Sequence, residues 1–197
     1  MTTAPPRPRL VELDAREFTE RVDEALAIYV AAMGYPPSTA RQRRPLWLDH
    51  LRRPGWRAVA WVGAAGDLLG IAYGYRGAPG QWWYQEVRRG LAVTAPHHLW
   101  WLTDYFELTE LHVRPDAQGH GLGERLVRAL LDKVVSPRVL LSTPEHEPGP
   151  PGRAWRLYRR LGFQDLLRHH RFVGDPRPFA VLGRRLPLDP PPVAESN

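Results

Sequence analysis

The chain has 197 residues, 43% of them hydrophobic, with 27 Lys+Arg against 21 Asp+Glu, a formal net charge of +6 and no cysteine. That length suits one domain with a real core, and the lack of cysteine excludes disulfides, thiolate metal ligands and a cysteine nucleophile. No apolar run approaches the ~20 residues of a membrane span and MTTAPPRPRL has no apolar signal core, so a cytoplasmic protein without membrane contact is expected.

The elements follow from periodicity and punctuation. RLVEL over 9–13 predicts a short strand. Asp14 with Glu17 three residues on forms a capping box, and Phe18, Val22, Ala25, Leu26, Tyr29 and Met33 recur at helical spacing until Gly34, Pro36 and Pro37 stop the helix. Ser38 opens a second helical stretch, interrupted by Pro45, to about Arg53. WRAVAWVGA and DLLGIAYGYRG meet at AAGD and predict a β-hairpin. Residues 78–101 are less regular, with a helical part around 81–91. DYFELTELHV over 104–113 predicts a strand, 121–134 a helix, RVLLS a strand, TPEHEPGPPG a loop, and RAWRLYRRLGF a helix stopped by Gly162. Two strands close the chain, over roughly 163–173 and 178–186. The order is a mixed α/β domain with one central sheet over 9–186, flanked by a flexible N-terminus (1–8) and a disordered tail (187–197).

Nearly all the positive charge is arginine, Lys133 being the only lysine. The arginines are scattered, with RQRR at 41–44 the longest cluster, so no nucleic-acid partner is expected. His97-His98 and His169-His170 are adjacent pairs, which face opposite ways on a strand and cannot chelate together, so no metal is expected.

The chemistry is signalled in HVRPDAQGHGLGERLVRALLDKV at 112–134, where Gly119, Gly121 and Gly123 precede a helical pattern. A helix start exposes unpaired N–H groups and a partial positive charge. Glycine lets backbone approach a phosphate and permits the positive φ that gathers successive amides into a nest. A tight structural turn would show the same spacing. A P-loop would need Lys-Ser/Thr where Glu124-Arg125 stand. A dinucleotide fingerprint would need G-x-G-x-x-G rather than G-x-G-x-G, although Glu145 stands near the place of its acid.

LHVRPDAQGHGLG closely resembles the acetyl-CoA signature of the GNAT N-acetyltransferases, a strand ending in V-x-P followed by Q/R-x-x-G-x-G/A. Gln118, Gly121 and Gly123 fill that pattern, with Val113 and Pro115 before it. Ala154, Tyr158, Gly162 and Phe163 resemble the second family motif, A-x-x-x-Y-x-x-x-G-F. The resemblance implies the GNAT acyltransferase fold, order β-α-α-β-β-β-α-β-α-β-β, and an N-acetyltransferase using acetyl-CoA as co-substrate. It implies cofactor contacts from Leu111, His112 and Val113 at the strand end, from Gln118, Gly119, His120, Gly121, Leu122, Gly123 and Glu124 at the turn, and from Thr143. The family's frequent asparagine falls on Pro151, which leaves Ser142 or Thr143 to supply its hydrogen bond.

Acetyl transfer to a primary amine needs a neutral amine, a donor for the oxyanion and a proton for the leaving thiolate. Without cysteine, direct transfer in a ternary complex is expected. Tyr158 shares a helical face with Ala154, Leu157 and Leu161, and the resemblance makes it the proton donor rather than a core tyrosine. Glu107 and Glu110 are the candidate bases. Alternation puts Glu107 on the face of Thr109, Leu111 and Val113, with Glu110 opposite, unless a bulge intervenes. Glu107 is favoured by family placement; water or solvated glutamates are the competing reading. The segment 78–101, holding Trp82, Trp83, Tyr84, Trp100 and Trp101, reads as an acceptor lid or as an extra helix patching the core, with Trp82, Trp83 and Trp100 as substrate contacts. The expected partners are acetyl-CoA and an amine acceptor, with a homodimer left open. A non-catalytic acyl-CoA sensor, a nucleotide-binding oxidoreductase and a basic nucleic-acid-binding module are the alternatives.

Overall fold

Among the described residues, seven strands, β1 (Arg9–Leu13), β2 (Arg57–Val62), β3 (Leu68–Arg76), β4 (Phe106–Val113), β5 (Arg138–Pro144), β6 (Gln164–His170) and β7 (Phe179–Arg185), form one sheet in the order β1-β2-β3-β4-β5-β7-β6. The structure, a computed structural model, describes residues 7–145 and 152–190. Every neighbouring pair is antiparallel except β4–β5. A parallel pair needs a crossover, and helix α4 (Leu122–Leu131) supplies it.

Helix α1 (Ala15–Met33) starts on the expected box: Asp14 accepts from the Glu17 amide at 2.8 Å, and Glu17 accepts from the Asp14 amide at 2.9 Å. It ends at Gly34 in the left-handed region, φ 66°. Helix α2 (Ser38–His50) runs through Pro45, with Trp47 and His50 buried beyond it. Together α1 and α2 cover β1–β4 through Phe18, Val22, Leu26, Trp47, Tyr73 and Tyr75. On the opposite face, α4 and α5 (Arg153–Arg160) pack Leu126, Leu130, Leu157 and Tyr158 against Phe106, Leu108, Val139 and Leu141.

The segment 78–101 is a core layer. Helix α3 (Trp82–Thr94) and a 3-10 helix over Pro96–Leu102 pack Trp83, Val87, Leu91 and Trp101 against Leu140, Leu166 and Val181, covering β5–β7–β6 on the same side as α1 and α2. The lid expectation is corrected accordingly. Trp83 is 7% exposed, and its indole donates to Ser142 Oγ at 3.1 Å. The tail also begins later than expected. Leu188 packs on the core, and Asp189 pairs with Arg184 at 2.5 Å and accepts from Arg128 at 2.7 Å through its carbonyl. The remainder of the expected tail (191–197), most of the flexible N-terminus (1–6) and Pro151 lie outside the described residues.

A bulge in β4 decides where the site residues point. Tyr73 faces Glu110 and Gly74 faces Leu108, so Thr109 stands out of the pairing. A Cβ at Gly74 would lie 2.1 Å from the Glu107 carbonyl and 2.5 Å from the Phe106 ring. Glycine is therefore required opposite the bulge.

Candidate active site

Strands β4 and β5 pair only through Phe106 with Val139 and Glu107 with Leu140. Beyond that point β4 stays with β3, and β5 with β7, so the two half-sheets part. Each bank presents backbone N–H and C=O groups that the partner strand would otherwise have used, and such a slot can take an extended polar ligand.

The glycine turn stands at the open end of this slot. Gly119 and Gly121 have φ of 89° and 76°, and a Cβ on either would meet nothing within 4 Å. Their conformations, not crowding, require glycine, and open space is left above the amides. Gly121 is the N-cap of α4 and makes no side-chain capping hydrogen bond, so the first amides of that helix face outward as a nest. Gly123 has a different reason. Its Cβ would stand 3.3 Å from Leu157, so it permits the close approach of α4 to α5. These features fit a pyrophosphate at the turn and a pantetheine arm in the slot.

Among the other cofactor candidates, the side chain of Gln118 is a brace. It donates to the Val113 carbonyl at 3.0 Å and accepts from Arg153 at 3.1 Å, joining β4 to α5. Glu124 is held by Arg128 at 2.9 Å, and His120 is exposed on the turn. Leu111 and Val113 pack toward α4, and Leu122 is buried at the helix start. Thr143 is buried on β5 on the side of Val139 and Leu141. His112 projects the other way, onto α1 and α2, where Tyr29 meets its ring edge-on at 5.0 Å and Trp47 stacks at 6.4 Å. Only its backbone faces the slot.

Because of the bulge, Glu107 and Glu110 both project toward α1 and α2, correcting the alternation expected from spacing: Tyr75 faces one and Tyr73 the other. Glu107, 4% exposed, accepts from the Tyr75 hydroxyl at 3.2 Å through Oε1, while its buried Oε2 has no hydrogen-bond partner among the described residues. Burial pushes its carboxyl up to about 7, against a smaller opposing effect of the Tyr75 hydrogen bond. Glu110 is partly buried and pairs with His112 Nε2 at 2.6 Å. Tyr158 lies on the opposite face in the α4–α5 core, and burial, helped by the Glu110 carboxylate, raises its hydroxyl well above the usual phenol range. Glu107 and Tyr158 thus flank the sheet at the parting strands.

The three tryptophan candidates separate. Trp82 is 54% exposed beside Phe172, near the loop that leads into β7. Trp83 is core. Trp100 stacks on Trp101 between Arg138 and Arg185, where β5 starts and β7 ends, at the far end of the sheet from the slot. Sequence reasoning missed Tyr75, for which its alternation with Tyr73 on β3 was a usable signal. It also missed Tyr35 and Arg177, which join the α1–α2 loop to the β6–β7 loop by a hydrogen bond and a ring contact at 5.1 Å. Among the described residues, no group of three His, Asp or Glu is placed to hold a metal, and no helix is long and apolar enough to cross a membrane.

Residues 65–165 match the acetyltransferase (GNAT) domain family. A GCN5-like protein acetyltransferase of Mycobacterium tuberculosis is 49% identical over 91% of this chain and 98% of its own length. An L-methionine sulfoximine/L-methionine sulfone acetyltransferase of Pseudomonas aeruginosa is 29% identical over 71% of this chain and 72% of its own. Among solved structures, the ribosomal-protein-S18-alanine N-acetyltransferase of Escherichia coli has the same fold, with a TM-score of 0.59 at 15% identity over 95% of this chain and 99% of that one.

Proposed function

The chain belongs to the GNAT family of N-acetyltransferases, and from that premise we propose that it transfers the acetyl group of acetyl-CoA directly to a primary amine of a protein, within a ternary complex. The observation that carries this reading is Glu107. It occupies the last position of β4 that pairs with β5, is buried with one oxygen unpartnered among the described residues, and titrates near neutrality, where a general base is most effective.

In this reading the amides of the glycine turn bind the pyrophosphate, and the slot edges hold the pantetheine arm with the thioester beside Glu107 and Tyr158. The ammonium of the acceptor gives one proton to Glu107. The amine nitrogen then bonds to the acetyl carbon, and the carbon–sulfur bond breaks. The bonded nitrogen releases its second proton to solvent, and Tyr158, kept protonated by its burial, donates its hydroxyl proton to the departing sulfur. Tyr158 is then reprotonated from solvent, and Glu107 returns its proton to solvent. Glu110 adds negative charge on the acceptor side and is held there by His112.

The protein acceptor is carried over from the 49% identical relative. The test is incubation with acetyl-CoA and a lysine peptide, following free thiol and acetylated peptide together. Equal release of both supports direct transfer to the amine. Thiol release without peptide acetylation would overturn the acceptor assignment.

A further inference from the structure

The inner stripe of α2 carries Arg43, Trp47 and His50 at helical spacing, and Arg53 extends it just past the helix end. Trp47 and His50 are buried over β3 and β4: Trp47 meets the Tyr73 ring edge-on at 5.2 Å, and His50 Nδ1 lies 3.0 Å from the Tyr73 hydroxyl. The stripe therefore lies on the sheet face that carries Glu107 and Glu110, with an arginine at each end.

Arg53 stands over the Tyr75 ring at 4.5 Å, the same tyrosine that donates to Glu107. Arg43 is exposed, close enough to Tyr29, Tyr73 and Asp175 for its charge to act on all three. Neighbouring arginines are neutralised: Arg44 by Asp23, Arg52 by Asp49, and Arg177, across the opening, by Asp175. Among the described residues neither Arg43 nor Arg53 forms a salt bridge, although the charge of Arg43 reaches Asp175 and that of Arg53 reaches Glu107. The acceptor face thus has carboxylates in its floor and, on one bank, cations that no salt bridge ties down.

Resting on the protein-acceptor reading above, we infer that Arg43 and Arg53 determine specificity by receiving acidic side chains that flank the acceptor lysine. An ammonium group suits Glu107 and Glu110 but is repelled by the two arginines. Acidic flanks remove that repulsion and complete both halves of the charge pattern. Among the described residues Arg41 also forms no salt bridge, but it lies two positions from Arg43 and so on the opposite side of α2, which makes it a control.

Three peptides of equal length, each with one lysine flanked by Glu, Ser or Arg, test the inference through kcat/KM with acetyl-CoA. Two exposed charge pairs predict a preference of about tenfold for the Glu-flanked over the Ser-flanked peptide, shrinking with added salt. The ratio, taken within each variant, should fall to within about twofold in Arg43→Gln/Arg53→Gln, persist in Arg43→Lys/Arg53→Lys and Arg41→Gln, and invert in Arg43→Glu/Arg53→Glu. Equal use of all three peptides by wild type, or an undiminished preference in the double Gln variant, would overturn the inference alone. Failure to acetylate any peptide, or use of free α-amino acids in preference to all three, would overturn the protein-acceptor reading with it.

Discussion

Glu107 and Glu110 project from the same face of β4 although an odd number of positions separates them, because Thr109 stands out of the pairing with β3. In an unbroken strand they would face opposite ways, one toward α4 and one toward α1. The bulge gathers both carboxylates on the α1–α2 side of the sheet, and Gly74 on the neighbouring strand permits it.

Gly74→Ala should therefore damage the fold at the site. Its methyl would have to share space with the Glu107 carbonyl, 2.1 Å away, so backbone and not a flexible side chain must move. A loss of at least ~3 kcal/mol is expected in urea unfolding, the upper end for overpacking. A variant as stable as wild type would mean that the bulge is not held as described.

Two buried groups should give the molecule opposing pH dependences. Glu107 titrates at about 7 folded against 4.5 as a free carboxyl, so the folded chain holds a proton that the unfolded chain has released. Stability from this group is full below pH ~4.5 and is lost as pH rises toward ~7. Burial, with the nearby charge of Arg53 second, lowers His50 from 6.5 to about 4, so its contribution is full above pH ~6.5 and is lost as pH falls toward ~4. Glu107→Gln should gain on wild type by about 3 kcal/mol between pH 4.5 and 7, and His50→Asn should gain by a similar amount between pH 6.5 and 4. Denaturant melts across pH would contradict this if the differences from wild type were flat.

Much of the architecture was legible because local signals agreed with it. The capping box at Asp14 and Glu17, the left-handed Gly34 and the turn at AAGD mark boundaries by backbone chemistry alone, and the elements fall where those signals put them. The glycine turn was legible for the same reason. The bulge was not, because β4 itself has no glycine or proline; the sign of it is Gly74, on a different strand. The role of α3 was equally hidden. Trp83, Val87 and Leu91 mark a helical stripe, but whether that stripe covers a core or a substrate depends on Leu140, Leu166 and Val181, which come together only in the folded sheet. Tyr35 and Arg177 meet across 142 residues, beyond the reach of any local pattern.

The two adjacent tryptophans of α3 should respond differently to truncation. Trp83→Ala empties a core position and removes the donor to Ser142, which predicts a loss of ~3–5 kcal/mol. Trp82 is more than half exposed, and Trp82→Ala should cost less than ~1 kcal/mol. Thermal unfolding of both separates core from surface; equal effects would contradict the placement of α3.

Gly121→Val should abolish coenzyme A binding while leaving a folded protein. The position has φ 76°, which a β-branched residue resists, and the added carbons would occupy the open space above the amides. Calorimetry with coenzyme A on folded variant and wild type measures this directly. Unchanged affinity would remove the phosphate from the glycine turn.

The pH profile of kcat/KM for wild type and Glu107→Gln, at saturating acetyl-CoA with a lysine peptide, bears most directly on acetyl transfer by a buried carboxylate base. A base at about 7 is protonated and idle below that value, so wild-type kcat/KM should fall about tenfold per pH unit on the acid side. Glu107→Gln should lose ~10²–10⁴-fold at pH 8 and show no limb near pH 7. A Glu107→Gln profile that keeps that limb at near wild-type rates would contradict the assignment of Glu107 as the base.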